Sequence, residues 1–252
     1  MKVVRDTSLL FWRYQLQMLR NPMWLFVGFS APLLYLALFT PLLKGIHIPG
    51  VGGSNVLDGF LPGILALLAF GSGISAGFST IFELQAGVIE RFRVTPTSRL
   101  AILLGPILSG IVSTFVFDLV LIVVGYGFGF HVHVGGLLVL AVLIGLFMLA
   151  MASFSTALAL LTKDISSFAA VINGLNLPVL LLAGVLLPVS IGPEWMRVLA
   201  HFNPLYYLVA AARTLAAGDF SNSALWQAFA VLVPLCVLAM AWATRVYRRA
   251  VS

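Results

Sequence analysis

In 252 residues the chain strings together six long stretches almost free of charge, and no other feature restricts its possible folds more. A helix needs about 20 apolar residues to cross the hydrocarbon core of a bilayer. The stretches run over residues 24–43, 59–80, 100–126, 137–161, 166–187 and 224–244, and the segments between them are too short to build a core of their own. Only 9% of the residues are charged, against roughly 25% in a soluble domain, so a water-soluble globule is excluded. The expectation is an all-α polytopic membrane protein, one transmembrane domain over residues 1–252 with six transmembrane helices.

The formal net charge of +6 would suit nucleic acid, but the basic residues sit at the edges of the apolar runs. Lys2, Arg5, Arg13 and Arg20 precede the first run, Arg245, Arg248 and Arg249 follow the last, and Arg91, Arg93, Arg99 and Lys163 fall in even-numbered loops. With both termini on one side, that side holds eleven of the 14 Lys and Arg residues, leaving Lys44, Arg197 and Arg213 opposite. The positive-inside rule places the richer side, with both termini, in the cytoplasm. Anionic headgroups there attract such charges, so membrane lipids are the expected partners and nucleic acid is not. The single cysteine, Cys236, forms no intrachain disulfide and reads as a packing residue. The 20 residues before the first run do not match a cleaved signal, so the N-terminus is expected to be retained.

Projected at 100° per residue, residues 3–20 and the neighbouring Lys2 separate into two faces. Lys2, Arg5, Asp6, Arg13, Gln17 and Arg20 share a third of the circle, with Val4, Thr7, Phe11, Tyr14 and Met18 opposite; Leu9 and Leu16 intrude on the polar side. This predicts an interfacial helix over 1–21 lying along the cytoplasmic leaflet, with a frayed basic tail as the plainer alternative. Asn21 and Pro22 then suit the N-cap and first turn of a separate helix. Residues 188–223 are too apolar for an exposed loop, yet Pro193, Pro204 and Gly218 interrupt them too often for a span. Short re-entrant helices near Glu194–His201 and Leu205–Ala217 are expected, because irregular backbone at membrane depth is tolerated only in protein or along a cavity.

The loop over residues 81–99 packs Glu83, Glu90, Arg91, Arg93 and Arg99 into a chain that otherwise avoids charge. Glu83, Gly87 and Glu90 or Arg91 recur at helical spacing and Pro96 stops the helix. A short helix here would offer a charged and aromatic face to a soluble partner; an ordinary solvated loop fits the composition equally well. Asp118 is the one acid expected inside a span, where a functional role such as proton coupling is the first thought. A helix–helix hydrogen bond with Ser113 or Thr114 is the structural alternative. Asn173 and Asn176 share a helix face at their three-residue spacing, where they can bond a partner helix or a passing substrate.

An intramembrane hydrolase would need a base for Ser72, but His47, His131, His133 and His201 all fall in or beside outer loops. Gly71, Gly73, Ser75, Ala76 and Gly77 more simply permit close helix packing. His131 and His133 alone are too few for a metal site. The stretch from Gly105 to Gly110 lacks the lysine of a phosphate-binding loop, so any ATP must be held by another chain.

Three segments carry a family resemblance. Glu83 and Gly87 followed by Glu90-Arg91-Phe92-Arg93 and Thr95-Pro96, then Asn203-Pro204-Leu205-Tyr206-Tyr207 with Arg213 beyond, and Phe60-Leu61-Pro62-Gly63 at the start of span two form the pattern. In motif order, span count and length the chain resembles the permease subunits of ABC-2 type transporters, most of all the daunorubicin and multidrug resistance branch of ABC exporters. The resemblance implies the type V, ABCG-like exporter fold, with an N-terminal connecting helix, a cytoplasmic coupling helix and short outer re-entrant helices. It implies that Glu83, Gly87, Glu90, Arg91, Phe92 and Arg93 contact an ATPase, and that Asn203, Pro204, Tyr207 and Arg213 are the outer signature. It also implies a pathway at a dimer interface near spans two and five, which makes Phe70, Phe78, Asn173 and Asn176 candidate lining residues.

The implied partners are a second permease chain, identical or different, and two cytoplasmic ATPase subunits that hold the ATP and magnesium. No cofactor, metal or catalytic residue is then expected in this chain, and its implied location is a bacterial inner (cell) membrane. The expected function is that of the permease of an ATP-driven exporter moving hydrophobic drugs, antibiotics or lipid-like compounds, since a path with few charged groups does little for a stripped polar solute. Export of lipids or lipid-linked glycans on the same fold, and more distantly intramembrane hydrolysis, are the alternatives.

Overall fold

The computed structural model describes residues 2–43, 56–88, 98–130, 133–185 and 189–251, and no strand occurs among them. The helices are α1 (Lys2–Leu19), α2 (Pro22–Leu43), α3 (Val56–Gln85), α4 (Arg99–Gly127), α5 (Val134–Thr162), α6 (Ile165–Ala183), α7 (Glu194–Ala200), α8 (Pro204–Ala216) and α9 (Ser223–Val251), with a 3-10 turn at Val189–Ile191 before α7. Among the described residues five stretches are long and apolar enough to cross a membrane: Gly59–Gln85, Leu100–Gly127, Val134–Thr162, Ile165–Ala183 and Ser223–Arg249. The first expected span falls in α2, whose described apolar stretch is the shorter Gly28–Leu38.

α5 is the central helix, buried along its length from Gly136 to Leu160, with α3 and α9 against it. A helix that is apolar all round belongs in the middle of a bundle. Two glycines four residues apart on α3 let α5 come close, as small residues do between membrane helices. A Cβ on Gly73 would stand 2.7 Å from Met151 Cβ, and one on Gly77 would stand 2.3 Å from Ser155 Oγ and 2.4 Å from Phe168 Cζ. The Ser155 hydroxyl uses this proximity to accept from Gly77 N–H at 3.0 Å and donate to the Ile74 carbonyl at 2.8 Å. Gly71, expected on the same stripe, meets nothing within 4 Å.

The bundle has two distinct ends. At one, Leu10, Ala101, Ile102, Leu160 and Tyr247 form a buried cluster, with Tyr14, Leu84 and Val246 packed on it. That cluster ties α1 and the ends of α3, α5 and α9 to the start of α4. Arg248 and Arg249 lie in the last turn of α9, which favours cations. At the opposite end α8 is inserted into the bundle through Leu205, Leu208, Ala211, Ala212 and Leu215. Gly136 admits the Leu215 carbonyl, which would lie 2.3 Å from a Cβ there.

Several boundaries differ from the sequence expectation for physical reasons. α3 continues five residues past Thr80 because no glycine or proline intervenes before Ala86-Gly87, where Gly87 takes φ +66. Glu83 therefore stands on a helix rather than in the 81–99 loop. α6 stops at Ala183, four residues before Leu187, because Gly184 turns left-handed at φ +69 and caps it. α9 runs on past Thr244 and carries Arg245, Arg248 and Arg249 on its last turns.

The face of α1 expected to lie on lipid is packed on protein instead. Leu10 sits over Gly105, where a Cβ would come within 2.6 Å of Leu10 Cβ. Gln15 Nε2 donates to the Ser109 carbonyl at 3.1 Å, and the Ser113 hydroxyl bonds Met18 Sδ at 2.8 Å. Asp6, expected on the solvated face, is buried and accepts from Ser98 N–H at 3.2 Å. Ser98 makes no side-chain cap of its own, and the positive start of α4 is a favourable place for a carboxylate.

Candidate coupling end and transport groove

At the basic end, α1 and α3 are joined by one hydrogen bond between residues 69 apart in sequence: Tyr14 OH donates to Glu83 Oε1. Burial, then the nearby Glu83 charge, push the Tyr14 phenol well above its ordinary pKa, so it remains a donor. The Arg13 guanidinium lies over the Tyr14 ring, 5.5 Å from its centroid. Glu83 also lines a small cavity of about 20 Å³ with Ser79, Thr80, Pro106, Thr156 and Tyr247. Thr80 Oγ1 donates to the Ala76 carbonyl at 2.8 Å and stands 3.4 Å from Thr156 Oγ1. Glu83 is thus turned into the bundle, toward α1. Gly87 follows at the turn after α3, while Glu90, Arg91, Phe92 and Arg93 lie outside the described residues. Sequence reasoning placed Tyr14, with Phe11 and Met18, on the face expected to lie on the leaflet; a partner 69 residues away has no periodicity to reveal it.

A groove of about 440 Å³ lies between α2, α3 and α6. Phe70, Phe78, Asn173 and Asn176 all line it, together with the apolar Ile64, Leu67, Leu68 and Leu180. Phe78 is held by an edge-on contact with Phe168, ring centroids 4.7 Å apart. Asn173 is exposed, and Gly71 and Gly174 have open space where a side chain would be. Only 11% of the α6 span is buried within the chain, so a largely apolar face with an amide on it is left uncovered.

The outer signature residues act as a clamp. Arg213 Nε donates to the Gly59 carbonyl at 3.0 Å, and its Nη2 to the Gly184 and Val185 carbonyls at 2.7 and 3.2 Å. One guanidinium thereby fastens α8 to the start of α3 and the C-terminal end of α6, where a cation suits the exposed carbonyls. Asn203 caps α8 through Leu205 N–H at 3.1 Å and donates to the Val179 carbonyl at 2.7 Å. Pro204 opens α8 at the position where a missing N–H costs nothing. Tyr207 OH donates to the His201 carbonyl at 3.0 Å. In the Phe60-Leu61-Pro62-Gly63 segment, Gly63 leaves room for the Val185 carbonyl, 2.8 Å from a would-be Cβ.

Asp118 is buried in α4, but the expected hydrogen bond to Ser113 or Thr114 is absent. Neither carboxyl oxygen of Asp118 has a hydrogen-bond partner among the described residues, nor does Thr114 Oγ1. Ser113 is instead committed to the Ser109 carbonyl at 2.8 Å and to Met18. The two described histidines face backbone carbonyls, His133 Nδ1 at Ala216 and His201 Nδ1 at Arg197; His47 and His131 lie outside the described residues.

The family model for the ABC-2 type transporter matches residues 5–216, from α1 through the whole of α8. The chain belongs to the ABC-2 type transporter family. This ABC-2 permease is 30% identical over 216 residues to the ycf38 transport permease of Cyanophora paradoxa, covering 84% of this chain and 74% of that one. It is 27% identical over 227 residues to the ycf38 transport permease of Pyropia yezoensis, with the same coverage. With the daunorubicin resistance ABC transporter permease protein DrrB1 of Streptomyces coeruleorubidus it shares 24% identity over 234 residues, 90% of this chain and 78% of that one. Family and spans together make it a multi-pass membrane permease.

Proposed function

We propose that this ABC-2 permease is the membrane half of an ATP-driven exporter of hydrophobic compounds, drug-like or lipid-like. In this reading the chain has six spans, α2 being the first, with the basic end and both termini in the cytoplasm of a bacterial cell. A second permease chain covers α3 and α6, and two ATPase subunits that hold ATP and magnesium dock at the loop beyond Glu83. The observation that carries the reading is the groove between α2, α3 and α6, apolar apart from two amides and Tyr35 and bordered by a face with little cover from its own chain. Its chemistry suits a solute that gives up little hydration on entry. The name of the Streptomyces coeruleorubidus relative, a daunorubicin resistance permease, supports a drug-like cargo.

Closure of the ATPase pair on ATP would push the loop that follows α3. Because Glu83 is bonded to Tyr14 and Leu84 packs in the cluster with Leu10 and Tyr247, a displacement of that end carries α1, α4, α5 and α9 with it. ATP must favour one permease conformation over the other, or no work is coupled. The clamp at Arg213 holds the far end of α3 to α6 and α8, so tilting α3 changes the groove rather than dissolving the outer end. Purification of the tagged chain from its native membrane in mild detergent, with mass spectrometry and an ATPase assay, tests the reading. A stoichiometric soluble ATPase retained with the chain is expected; a chain that purifies alone and inactive refutes it.

A further inference from the structure

The cavity beside Glu83 draws its wall from four helices: Thr80 and Glu83 on α3, Ile102 and Pro106 on α4, Thr156 on α5 and Tyr247 on α9. One water needs roughly 10–15 Å³ of such space, so about 20 Å³ admits one and falls short of two. The polar groups on the wall have separate local causes. Pro106 lies inside α4 without an N–H, so the carbonyl of Ile102, one turn earlier, loses its helical donor. Ile102, Leu103, Pro106 and Ile107 all line the cavity, which puts that carbonyl on the cavity side of α4. In a membrane helix a carbonyl freed by proline is met by a neighbouring helix, a hydroxyl or an ordered water.

Thr80 cannot meet it, since its one proton goes to the Ala76 carbonyl at 2.8 Å. Thr156 is buried on α5, with its hydroxyl oxygen a long 3.4 Å from that of Thr80. A carboxylate has about four acceptor sites, so the bond from Tyr14 leaves Glu83 able to take a further donor. The cavity thus gathers acceptors from α3 and α4 and a hydroxyl from α5. A cation would also suit oxygens, but the Arg13 guanidinium already lies over the ring of Tyr14, which bonds the carboxylate, so the charge has its counterpart.

We propose that this cavity binds one ordered water molecule, which donates to the Glu83 carboxylate and the Ile102 carbonyl and accepts from the Thr156 hydroxyl. Three hydrogen bonds are the usual complement of a buried water. The water ties the end of α3 to α4 and α5, beside the direct bond from Glu83 to α1, and makes Thr156 a positioning residue for the stroke. That role rests on the exporter reading; the water itself does not.

X-ray pulse radiolysis of the full chain in nanodiscs, with whatever subunits accompany it, forms hydroxyl radicals from bound as well as bulk water. Tyr247 is 4% exposed and lines the cavity, so it reports on the bound water; Phe147, fully buried in the main core, is the control. Oxidation of Tyr247 is expected to exceed that of Phe147 several-fold, to fall to the Phe147 level in Thr156→Val and to persist in Thr156→Ser, which keeps the hydroxyl. In vesicles with the partner ATPase, Thr156→Val should lower transport per ATP hydrolysed and Thr156→Ser should restore it. Equal oxidation of Tyr247 and Phe147 in the native chain, or undiminished Tyr247 oxidation in Thr156→Val, overturns the water. Stability that rises with sodium or potassium at constant ionic strength, and no longer does so in Thr156→Val, makes the occupant a cation and overturns it equally. Oxidation as expected with an unchanged transport ratio overturns the coupling role. Radiolysis needs no ATPase, so a chain that purifies without one refutes the exporter reading while the water still stands or falls on Tyr247.

Discussion

Tyr14→Phe removes one hydroxyl from the basic end and leaves the ring's packing in place, so it isolates the bond to Glu83. A net hydrogen bond contributes about 1 kcal/mol, and about 1.5–3 kcal/mol when one partner is charged. Phe at position 14 leaves a half-buried carboxyl with one acceptor unmet, and a loss of about 2 kcal/mol is expected, roughly 30-fold in the folding equilibrium. Glu83→Gln keeps an oxygen that accepts from Tyr14, so it should cost about 1 kcal/mol. Since both substitutions weaken the same bond, the double variant should fall short of the summed losses by at least ~1 kcal/mol, as for residues in contact. Reversible unfolding in mixed micelles of the two single variants, the double variant and the native chain gives this cycle directly. In vesicles with the partner ATPase, Tyr14→Phe should lower transport per ATP hydrolysed more than it lowers ATP hydrolysis, because the end of α3 no longer carries α1. Additivity within ~0.5 kcal/mol, or an unchanged transport ratio, would refute the argument that this bond joins the two helices mechanically.

Gly77→Ala places a Cβ 2.3 Å from Ser155 Oγ and disturbs the Gly77–Ser155–Ile74 bonds. It should destabilise the chain by about 2–4 kcal/mol by overpacking and lost hydrogen bonding, whereas Gly71→Ala, with open space, should be neutral or better in the same unfolding assay. Arg213→Met strips three carbonyls of their donor, so about 3–5 kcal/mol should be lost on unfolding, with Arg213→Lys recovering only part because one ammonium cannot reproduce the fork. Asp164 caps α6 through Ser167 N–H at 2.7 Å, and the hydrogen bonds from Ser166 and Ser167 hold its pKa down at about 2. Its contribution is complete above the unfolded value of ~3.9 and is lost as pH falls through about 2; hydrogen exchange at Ser167 should quicken over that window and lose this pH dependence in Asp164→Asn. Asn173→Leu should leave folding unchanged while shifting the range of compounds transported, read by competition between drug-like solutes in vesicles.

Long apolar runs and sparse charge were enough to make this an all-helical membrane chain, because a segment that cannot offer its backbone to water must pair it internally. Local chemistry sets many helix starts and stops: Asn203 precedes Pro204 at the start of α8 and Asp164 caps α6, while Gly184, which ends α6, stood inside the span expected over 166–187. The spacing of Asn173 and Asn176 placed them on one face, and the structure adds that Phe70 and Phe78 from α3 line the same groove.

The tertiary structure alone decided which faces meet. Glu83 finds Tyr14 from 69 residues away and Arg213 finds Gly59 from 154, distances at which no periodicity operates. The reading of α1 shows the physical reason most plainly: its periodicity identified an apolar face, which lies on α4, while Leu9 and Leu16, discordant in that pattern, belong to the outward side. Lipid and protein interior are equally apolar, so hydrophobic patterning marks a face for removal from water without saying which of the two will cover it. Shape does that, through Gly105 beneath Leu10 and Gly77 beneath Ser155, and shape exists only once the helices are packed.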